Sequence, residues 1–316
     1  MKVLAIVQAR LTSSRFPKKI LKEIKGKSLI EILISRLKLS TKIDRIIVAI
    51  PKNNKEHILK SKLKKLNIQV FEGSENNVLD RYYKASKLFN SDYVVRITGD
   101  CPLIDSKVVD EVIDLAIKNK LDYASNVCPP TFPDGLDTSV ISTSALKYAW
   151  KKAKSDFDKE HVVTYIQKNK KVKKSNLKFS KDLSSERWTV DEPEDFQVIK
   201  NIFSNFNNFN FGWKKILSLK KKKPRLFLAN KDIIRDEGSV LSEGQKLWKR
   251  AKRIIPGGNM LLSKRPNLFL PDKWPTYYKK AKGCKVWGLD NKEYLDMSLM
   301  GVGTNILGYA NPEVDD

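Results

Sequence analysis

Short apolar runs alternate with amphipathic stretches through the first hundred residues of the chain. The apolar runs are rich in branched side chains and lie at residues 3–7, 46–50, 70–71 and 93–97. Between them, apolar residues recur at helical spacing over residues 29–37, 58–63 and 78–89. Strands that alternate with helices of this length predict βαβ units, and therefore an α/β fold with a parallel sheet covered by helices on both faces.

Two loops of this predicted sheet have the position that ligands prefer. In open parallel sheets, ligands bind outside the carboxyl ends of the strands. The loop after the first strand covers residues 8–19, and the loop after the fourth strand covers residues 98–102. Both loops are expected to face the same crevice.

The remainder of the chain predicts two domains. Beyond residue 135 the pattern becomes mixed, with a strand near 136–141, helices near 145–153 and 160–168, and a last helix that starts at Glu192-Pro193. Proline and acidic residues favour a helix N-terminus. We expect a first domain over residues 1–206, a linker over 207–240, and a second domain over 241–316 that the sequence leaves incomplete.

The composition restricts the class of protein. The net charge is +25, but the excess is mostly Lys scattered over predicted helices, with no aromatic stripe or RNA-binding motif, so nucleic acid is not an expected partner. The three cysteines have no CxxC spacing, and no stretch approaches the ~20 apolar residues of a membrane span. A cytoplasmic protein that binds no membrane is expected.

The loop after the first strand is basic. Arg10, Arg15 and Lys19 lie within ten residues, with Ser13 and Ser14 between them. Guanidinium forks, an ammonium and flexible backbone N–H groups are what a triphosphate requires. The alternative is a solvated basic loop, which is common in a Lys-rich protein.

Two aspartates follow predicted strands. Asp100 lies directly after the fourth strand, and Asp191 follows the apolar residues 188–190. Two carboxylates together with substrate phosphates are a typical site for Mg²⁺, which prefers oxygen ligands. Alternatively, Asp100 stabilises a turn and Asp191 caps the following helix.

Six motifs in order resemble one family. They are residues 8–19, 78–83, 96–105, 132–137, 160–162 and 189–196. The chain resembles the SpsF-type cytidylyltransferases of spore coat polysaccharide biosynthesis, which are similar to CMP-Kdo and CMP-sialic acid synthetases. The resemblance covers about 200 residues, and it implies a Rossmann-like nucleotidyltransferase fold of the nucleotide-diphospho-sugar transferase type.

The resemblance also implies an activity and a set of site residues. CTP and a sugar acid would react with Mg²⁺ present, releasing pyrophosphate for surface polysaccharide biosynthesis. Arg10, Arg15 and Lys19 would act on the triphosphate, and Asp100 and Asp191 would hold the metal. The nucleotide-binding set would comprise Gln8, Ala9, Arg10, Ser13, Ser14, Arg15, Lys19, Arg81, Thr98 and Gly99. The substrate set would comprise Asp80, Asp134, Asp137 and His161.

The sequence departs from the family at three positions. Thr12 and Lys18 stand where the family usually has glycine, and Ser139 stands where it often has an acidic residue. A side chain at Thr12 can narrow the approach of the backbone to phosphate, because glycine is used for close contacts and positive φ. Base and sugar specificity therefore remain open.

The end of the chain resembles a second family. Residues 251–258, 283–296 and 307–314 are similar to the start of a class III aminotransferase of the glutamate-1-semialdehyde aminomutase type. In that family the residues that bind pyridoxal phosphate lie further along the chain. The resemblance therefore implies an incomplete aminotransferase fold, with pyridoxal phosphate and transamination expected only in the complete domain.

Two alternatives to the CTP reaction stay open. The first domain could use another nucleoside triphosphate, or it could be a catalytically weak nucleotide-binding module fused to an aminotransferase. The expected partners are CTP and a sugar acid, and a homodimer is left open.

Overall fold

The computed structural model describes residues 1–13, 15–233, 235, 242–259, 265–270, 275–297 and 303–315. The chain divides into two compact units, Met1–Arg235 and Asp236–Asp316. Ser14 lies outside the described residues. Within those residues, no helix combines the length and the apolar character needed to cross a bilayer.

A seven-stranded sheet forms the centre of the first unit, in the order β5-β4-β1-β6-β8-β7-β9. Strands β5, β4, β1 and β6 are parallel, β8 is antiparallel to both of its neighbours, and β9 is parallel to β7. The predicted α/β fold with a mostly parallel sheet is confirmed, with β8 as the antiparallel exception. The strands are β1 Val3–Gln8, β4 Arg45–Pro51, β5 Gln69–Gly73, β6 Tyr93–Thr98, β7 Tyr123–Ser125, β8 Ser139–Ser142 and β9 Lys174–Asn176, and a small hairpin pairs β2 Glu23–Ile24 with β3 Lys27–Ser28.

Helices of the first unit connect these strands. They are α1 Leu29–Leu37, α2 His57–Lys65, α3 Val78–Leu88, α4 Ser106–Lys118, α5 Thr143–Lys152, α6 Asp156–His161, α7 Thr164–Lys168, α8 Pro193–Ser204 and α9 Trp213–Lys222. Successive residues of β1 enter two different cores: Val3, Ala5 and Val7 pack in one, and Leu4 and Ile6 pack in the other. Burial on both faces explains why this strand is apolar throughout rather than alternating.

The predicted helix over residues 160–168 is two short helices. Val162 has φ 62° and ψ −54°, and the Val163 N–H donates to the His161 carbonyl at 2.6 Å. A β-branched residue rarely adopts positive φ, and such a conformation costs about 1–3 kcal/mol unless its surroundings enforce it. Val162 is fully buried, so packing holds the break between α6 and α7 in place.

Residues 207–235, which the sequence placed in a linker, fold as part of the first unit. Helix α9 buries Trp213 and Ile216, and Phe227 packs in the same apolar cluster. The fully buried Arg36 donates to the Phe211 carbonyl at 2.9 Å. The aromatic residues of this asparagine-rich stretch supply apolar area to the core, which explains why the chain is ordered here.

The second unit contains a helix and an antiparallel three-stranded sheet. The elements are α10 Glu243–Ile254, β10 Tyr278–Lys282, β11 Lys285–Gly288, β12 Glu293–Leu295 and α11 Pro312–Asp315. The sequence predicted the helix, the strands near 285–287 and 293–295, and a helix start at 311–313.

Candidate active site

A cleft opens at the carboxyl ends of β1 and β6. The two strands are neighbours, and Gln8 and Thr98 are paired in register at their ends. The loops that follow therefore meet, as predicted. Among the residues that line the cleft are Gln8, Ala9, Arg10, Ser13, Arg15, Lys19, Ile20, Val78, Arg81, Thr98, Gly99, Asp100, Glu160 and Asp191. The structure thus brings together the predicted nucleotide and metal residues, apart from Ser14, which falls outside the described part.

Lys19 joins the two predicted metal ligands. Its Nζ donates to Asp100 Oδ2 at 3.0 Å and to Asp191 Oδ1 at 2.7 Å. Burial lowers the pKa of Lys19, but the two carboxylates outweigh burial and hold this pKa above its ordinary value. For Asp100, burial raises the pKa of the carboxyl group. The charge of Lys19 and the hydrogen bonds with Lys19 and Thr98 outweigh burial, so the pKa of Asp100 lies below its usual range. Lys19 and Asp100 are therefore both charged at neutral pH.

The donor set of this pair fits a divalent cation. Asp100 and Asp191 already converge on one cationic atom, the Lys19 Nζ. Among the residues described, no group of three or more Asp, Glu, His or Cys side chains is arranged as a metal site. An ion at this position would have two protein carboxylates and would take its other ligands from water or a phosphate, which is typical of Mg²⁺.

The basic loop has a defined conformation around Lys19. Arg15 Nη2 forms an ion pair with Asp191 Oδ1 at 2.9 Å, so a second cation contacts the same carboxylate oxygen as Lys19. Lys18 has φ 55°, and its N–H donates to the Leu11 carbonyl at 3.1 Å. The positive φ explains why a glycine suits position 18, since a side chain there is strained.

A buried glutamate, Glu56, accepts a hydrogen bond from the backbone of this loop. Both carboxylate oxygens of Glu56 accept from the Leu11 N–H, at 3.0 and 3.1 Å. Glu56 is 1% exposed, and burial raises the pKa of its carboxyl. Sequence reasoning missed this residue, because Glu56 lies 45 positions from its partner and belongs to no motif.

Two side chains in the cleft have polar atoms that the rest of the described chain leaves without a hydrogen-bond partner. They are Gln8, with its Oε1, and Arg81, with its Nε and Nη1. Arg81 is 2% exposed, and burial lowers its pKa. A buried unpaired donor or acceptor costs about 1–3 kcal/mol, so these atoms indicate a position where a polar ligand would satisfy them.

The second carboxylate oxygen of Asp191, which Lys19 does not contact, accepts a hydrogen bond from Arg187. Arg187 Nη2 donates to Asp191 Oδ2 at 3.2 Å, and the same guanidinium binds Asp134 at 3.0 Å and Asp195 at 2.8 and 2.9 Å. Burial lowers the pKa of Arg187, but these three carboxylates raise it above its ordinary value. The sequence analysis did not identify Arg187.

Gly135 allows Asp134 to reach this guanidinium. Asp134 and Arg187 form a parallel β-bridge, in which the Trp188 N–H donates to the Asp134 carbonyl at 2.7 Å. Gly135 has φ 110°, and a Cβ there would lie 2.7 Å from the Trp188 carbonyl carbon. Only glycine permits this approach of the two backbone segments.

The four predicted substrate residues make contacts within the protein and are absent from the described lining of the cleft. Asp80 accepts a hydrogen bond from Trp150 Nε1 at 2.8 Å and forms an ion pair with Lys84 Nζ at 2.8 Å. Asp137 pairs with Arg235 at 2.5 Å, and Asp134 pairs with Arg187. His161 packs against Phe157, with ring centroids 4.3 Å apart. Glu160, next to His161, lines the cleft and was not predicted to do so.

Comparison with known proteins assigns the family. The family model described as cytidylyltransferase matches residues 4–233. The chain belongs to the cytidylyltransferase family. A cytidylyltransferase of Leptospira borgpetersenii has a similar structure, with a TM-score of 0.70 and 32% identity over 72% of this chain and 97% of that chain.

Other relatives of this cytidylyltransferase come from distant organisms. An uncharacterized protein of Methanocaldococcus jannaschii is 35% identical over 74% of this chain and 96% of its own length. The spore coat polysaccharide biosynthesis protein SpsF of Bacillus subtilis is 28% identical over 64% of this chain and 86% of its own length. These similarities confirm the resemblance to SpsF-type proteins.

The fold is shared with CMP:2-keto-3-deoxy-manno-octonic acid synthetase, whose complex with CTP has a TM-score of 0.50 at 14% identity. A 3-deoxy-manno-octulosonate cytidylyltransferase of Geotalea daltonii is 31% identical over 36% of this chain and 44% of its own length. As a member of the cytidylyltransferase family, the chain is a nucleotidyltransferase.

Short matches connect the cytidylyltransferase chain to a different group of enzymes. A 3-aminobutyryl-CoA aminotransferase of Cloacimonas acidaminovorans is 36% identical over 76 residues, which are 24% of this chain and 18% of that protein. The glutamate-1-semialdehyde 2,1-aminomutase of Methanococcoides burtonii is 36% identical over 75 residues. The chain spans less than a fifth of the length of these relatives.

Proposed function

We propose that the first unit transfers CMP from CTP to the hydroxyl of a sugar acid and releases pyrophosphate, with Mg²⁺ as cofactor. The observation that carries this proposal is the convergence of Lys19, Asp100 and Asp191 at the mouth of a parallel sheet in a cytidylyltransferase. The product would be an activated sugar for a surface polysaccharide.

The triphosphate is assigned to the basic loop. Arg10, Arg15 and Lys19 line one wall of the cleft, and Ser13 adds a hydroxyl. Ser14 belongs to this set by resemblance. A guanidinium can hold two phosphate oxygens, and Lys19 can neutralise charge that builds up on the attacked phosphoryl group.

The nucleoside is assigned to the wall formed by Gln8 and Arg81. The unpaired Gln8 oxygen can accept from an exocyclic amine, and the unpaired Arg81 nitrogens can donate to a carbonyl or ring nitrogen. Cytosine offers this combination of groups. Ala9, Thr98 and Gly99 would contact the nucleotide at the ends of β1 and β6.

Asp100 and Asp191 would hold the magnesium ion. When bound, the ion supplies charge neutralisation at the phosphates and lowers the cost of approach of the attacking hydroxyl. The protein contributes mostly position and electrostatics: the basic loop aligns the α-phosphorus for in-line attack, and the charged cleft stabilises the departing pyrophosphate.

The second unit is proposed to be the beginning of a class III aminotransferase domain. The short aminotransferase matches and the resemblance of residues 251–258, 283–296 and 307–314 support this assignment. Such a fusion would join the activation of a sugar to an amination, with pyridoxal phosphate bound only by a complete domain.

Pyrophosphate release by the full chain tests the proposed reaction. Each of the four nucleoside triphosphates is supplied with Mg²⁺ and a panel of 2-keto-3-deoxy sugar acids, and release is expected with CTP alone. Release with ATP or UTP instead would reject CTP as the donor. Tight CTP binding without release for any acceptor would favour a nucleotide-binding module.

The variant Asp100→Asn tests the carboxylate pair. We expect kcat to fall by about 100-fold or more, because a charge that acts on the transition state is lost. The matched control is Asp114→Asn, in α4, where the half-exposed Asp114 forms ion pairs with the surface lysines Lys42 and Lys118. Turnover by Asp100→Asn at the rate of the control would refute the role of Asp100.

A further inference from the structure

We propose that Arg187 is a positioning residue that fixes Asp191, so that one carboxylate oxygen of Asp191 is committed to the protein and the other faces the cleft. This inference rests on the proposed function, in which Asp191 is a metal ligand. It assigns a role to a residue that lies outside the described lining of the cleft.

The two oxygens of Asp191 have separate partners. Oδ1 accepts a hydrogen bond from Lys19 Nζ at 2.7 Å and forms an ion pair with Arg15 Nη2 at 2.9 Å, both on the cleft side. Oδ2 accepts from Arg187 Nη2 at 3.2 Å. A carboxylate turned out of this plane would lose these contacts, so Arg187 helps to fix the plane of the Asp191 carboxylate and keeps one of its oxygens towards the cleft.

Arg187 is itself fixed by a fully buried partner. Asp195 is 0% exposed and accepts from Arg187 Nε at 2.8 Å and from Nη2 at 2.9 Å, a bidentate pair. Asp195 also accepts from the backbone N–H groups of Asp191 and Glu192, at 2.9 and 3.0 Å. Asp191 is thus held twice, through its backbone by Asp195 and through its side chain by Arg187.

Two more contacts complete the support behind Arg187. Asp134 accepts from Arg187 Nη1 at 3.0 Å, and Asn230 donates from Nδ2 to Asp195 Oδ1 at 2.8 Å. The bidentate pair with Asp195 alone would satisfy two of the guanidinium nitrogens. Nη2 carries a second N–H group, which donates to the partly exposed Asp191 and so connects the buried guanidinium to the cleft.

The planar guanidinium is suited to this task. Its nitrogens are arranged in a rigid fork that can meet three carboxylates in fixed directions, whereas a lysine ammonium is a point charge on a flexible stem. Loss of an outer partner that orients a metal ligand typically weakens metal binding by about 10–100-fold.

The test uses Arg187→Lys in the full chain, with Mn²⁺ alone as the probe and water-proton relaxation as the measurement. We expect the Kd for Mn²⁺ to rise by about 10–100-fold. In steady-state assays, the Mg²⁺ concentration for half-maximal rate should rise to a similar extent. The KM for CTP at saturating Mg²⁺ should stay within about twofold, because Arg187 contacts none of the nucleotide residues.

Two companion variants separate a positioning role from a structural one. Glu31→Ala removes a helix cap whose printed partners, Ser28 and Lys62, lie outside this network, so the unfolding midpoint should fall while the Kd for Mn²⁺ stays unchanged. Asp191→Asn should abolish Mn²⁺ binding. Should Arg187→Lys fail to fold, the double variant R187Q/D134N, which removes one charge of each sign, carries the same expectation.

Two results would overturn the inference, and they differ in what else they overturn. Wild-type Mn²⁺ affinity in Arg187→Lys, with binding lost in Asp191→Asn, rejects the role of Arg187 alone. Wild-type affinity in Asp191→Asn rejects the metal assignment in the proposed function, and the role of Arg187 with it.

Discussion

Asp191 contacts three cationic side chains, which come from two parts of the chain. Lys19 and Arg15 belong to the loop after β1, and Arg187 lies four residues before Asp191. A carboxylate with this many donors is confined to one orientation, which is the condition for binding a ligand with a fixed geometry. Individual side chains therefore fix the orientation of the Asp191 carboxylate in the cleft.

At the residue scale, a position next to a strand decided which site residues could be predicted. The basic loop and Asp100 follow strands directly, so their convergence could be predicted from strand order. Glu56 and Arg187 act through contacts that only the folded chain creates, and neither has a local pattern. For the same reason Asp134 and Asp137, which sequence resemblance suggested as substrate residues, could not be recognised as partners of Arg187 and Arg235.

Glu56→Ala tests whether the buried carboxylate organises the phosphate loop. The Leu11 N–H would lose its acceptor, which costs about 1–3 kcal/mol, and the loosened loop should raise the KM for CTP by roughly tenfold. Glu56→Gln keeps an acceptor and should lie closer to wild type. Equal KM values in Glu56→Ala and wild type would contradict this role.

At the scale of helices and strands, the elements with clear hydrophobic periodicity could be predicted. The break between α6 and α7 and the helix α9 could not. The strands β1, β4 and β6 and the helices α1 and α3 lie where hydrophobic periodicity placed them. The break at Val162 was missed, because periodicity continues across it and only tertiary packing stabilises its left-handed conformation. Helix α9 was missed because the asparagine-rich residues before it resemble a linker.

The N-terminus of α1 provides a pH-dependent test at this scale. Glu31 accepts from the Ser28 N–H at 2.7 Å in a capping box and pairs with Lys62 at 2.9 Å. Burial raises the pKa of Glu31, but the bonds from Ser28 and Lys62 outweigh burial and lower it. A lowered pKa means that the stabilisation is complete above the ordinary pKa and is lost as the pH falls through the lowered one.

Glu31→Ala should therefore lower the free energy of unfolding by about 1 kcal/mol at pH 7. Urea denaturation at several pH values measures the difference, which should shrink on acidification below about pH 4. Glu31→Gln is the control, since it keeps the capping geometry without the charge. A difference between wild type and Glu31→Ala that is constant down to pH 2 would contradict the assignment.

On the scale of the whole molecule, the catalytic unit extends further than its motifs. The last motif ends near residue 196, yet the compact unit and the family match both reach beyond residue 230. Asn230 bonds Asp195, and Arg235 bonds Asp137. The final segment of the unit thus contacts the network that supports the cleft.

Truncation tests this boundary. A chain ending after Arg235 should unfold cooperatively and keep pyrophosphate release. A chain ending after Asn210 lacks Trp213, Ile216 and Phe227, each of which stabilises the fold by about 1.5–3 kcal/mol through burial. That loss is comparable to the whole stability of a typical domain, roughly 5–15 kcal/mol. Thermal unfolding of the shorter chain at the wild-type midpoint would show that the final segment is dispensable.

The contact of Lys19 with both Asp100 and Asp191 has a practical consequence. Two carboxylates that face each other normally repel, and proteins built this way often require a bound ion to stay folded. Here an ammonium of the chain itself already serves as the counter-ion. Chelating agents should therefore leave the folded state intact, and we expect the thermal unfolding midpoint to be the same with and without EDTA.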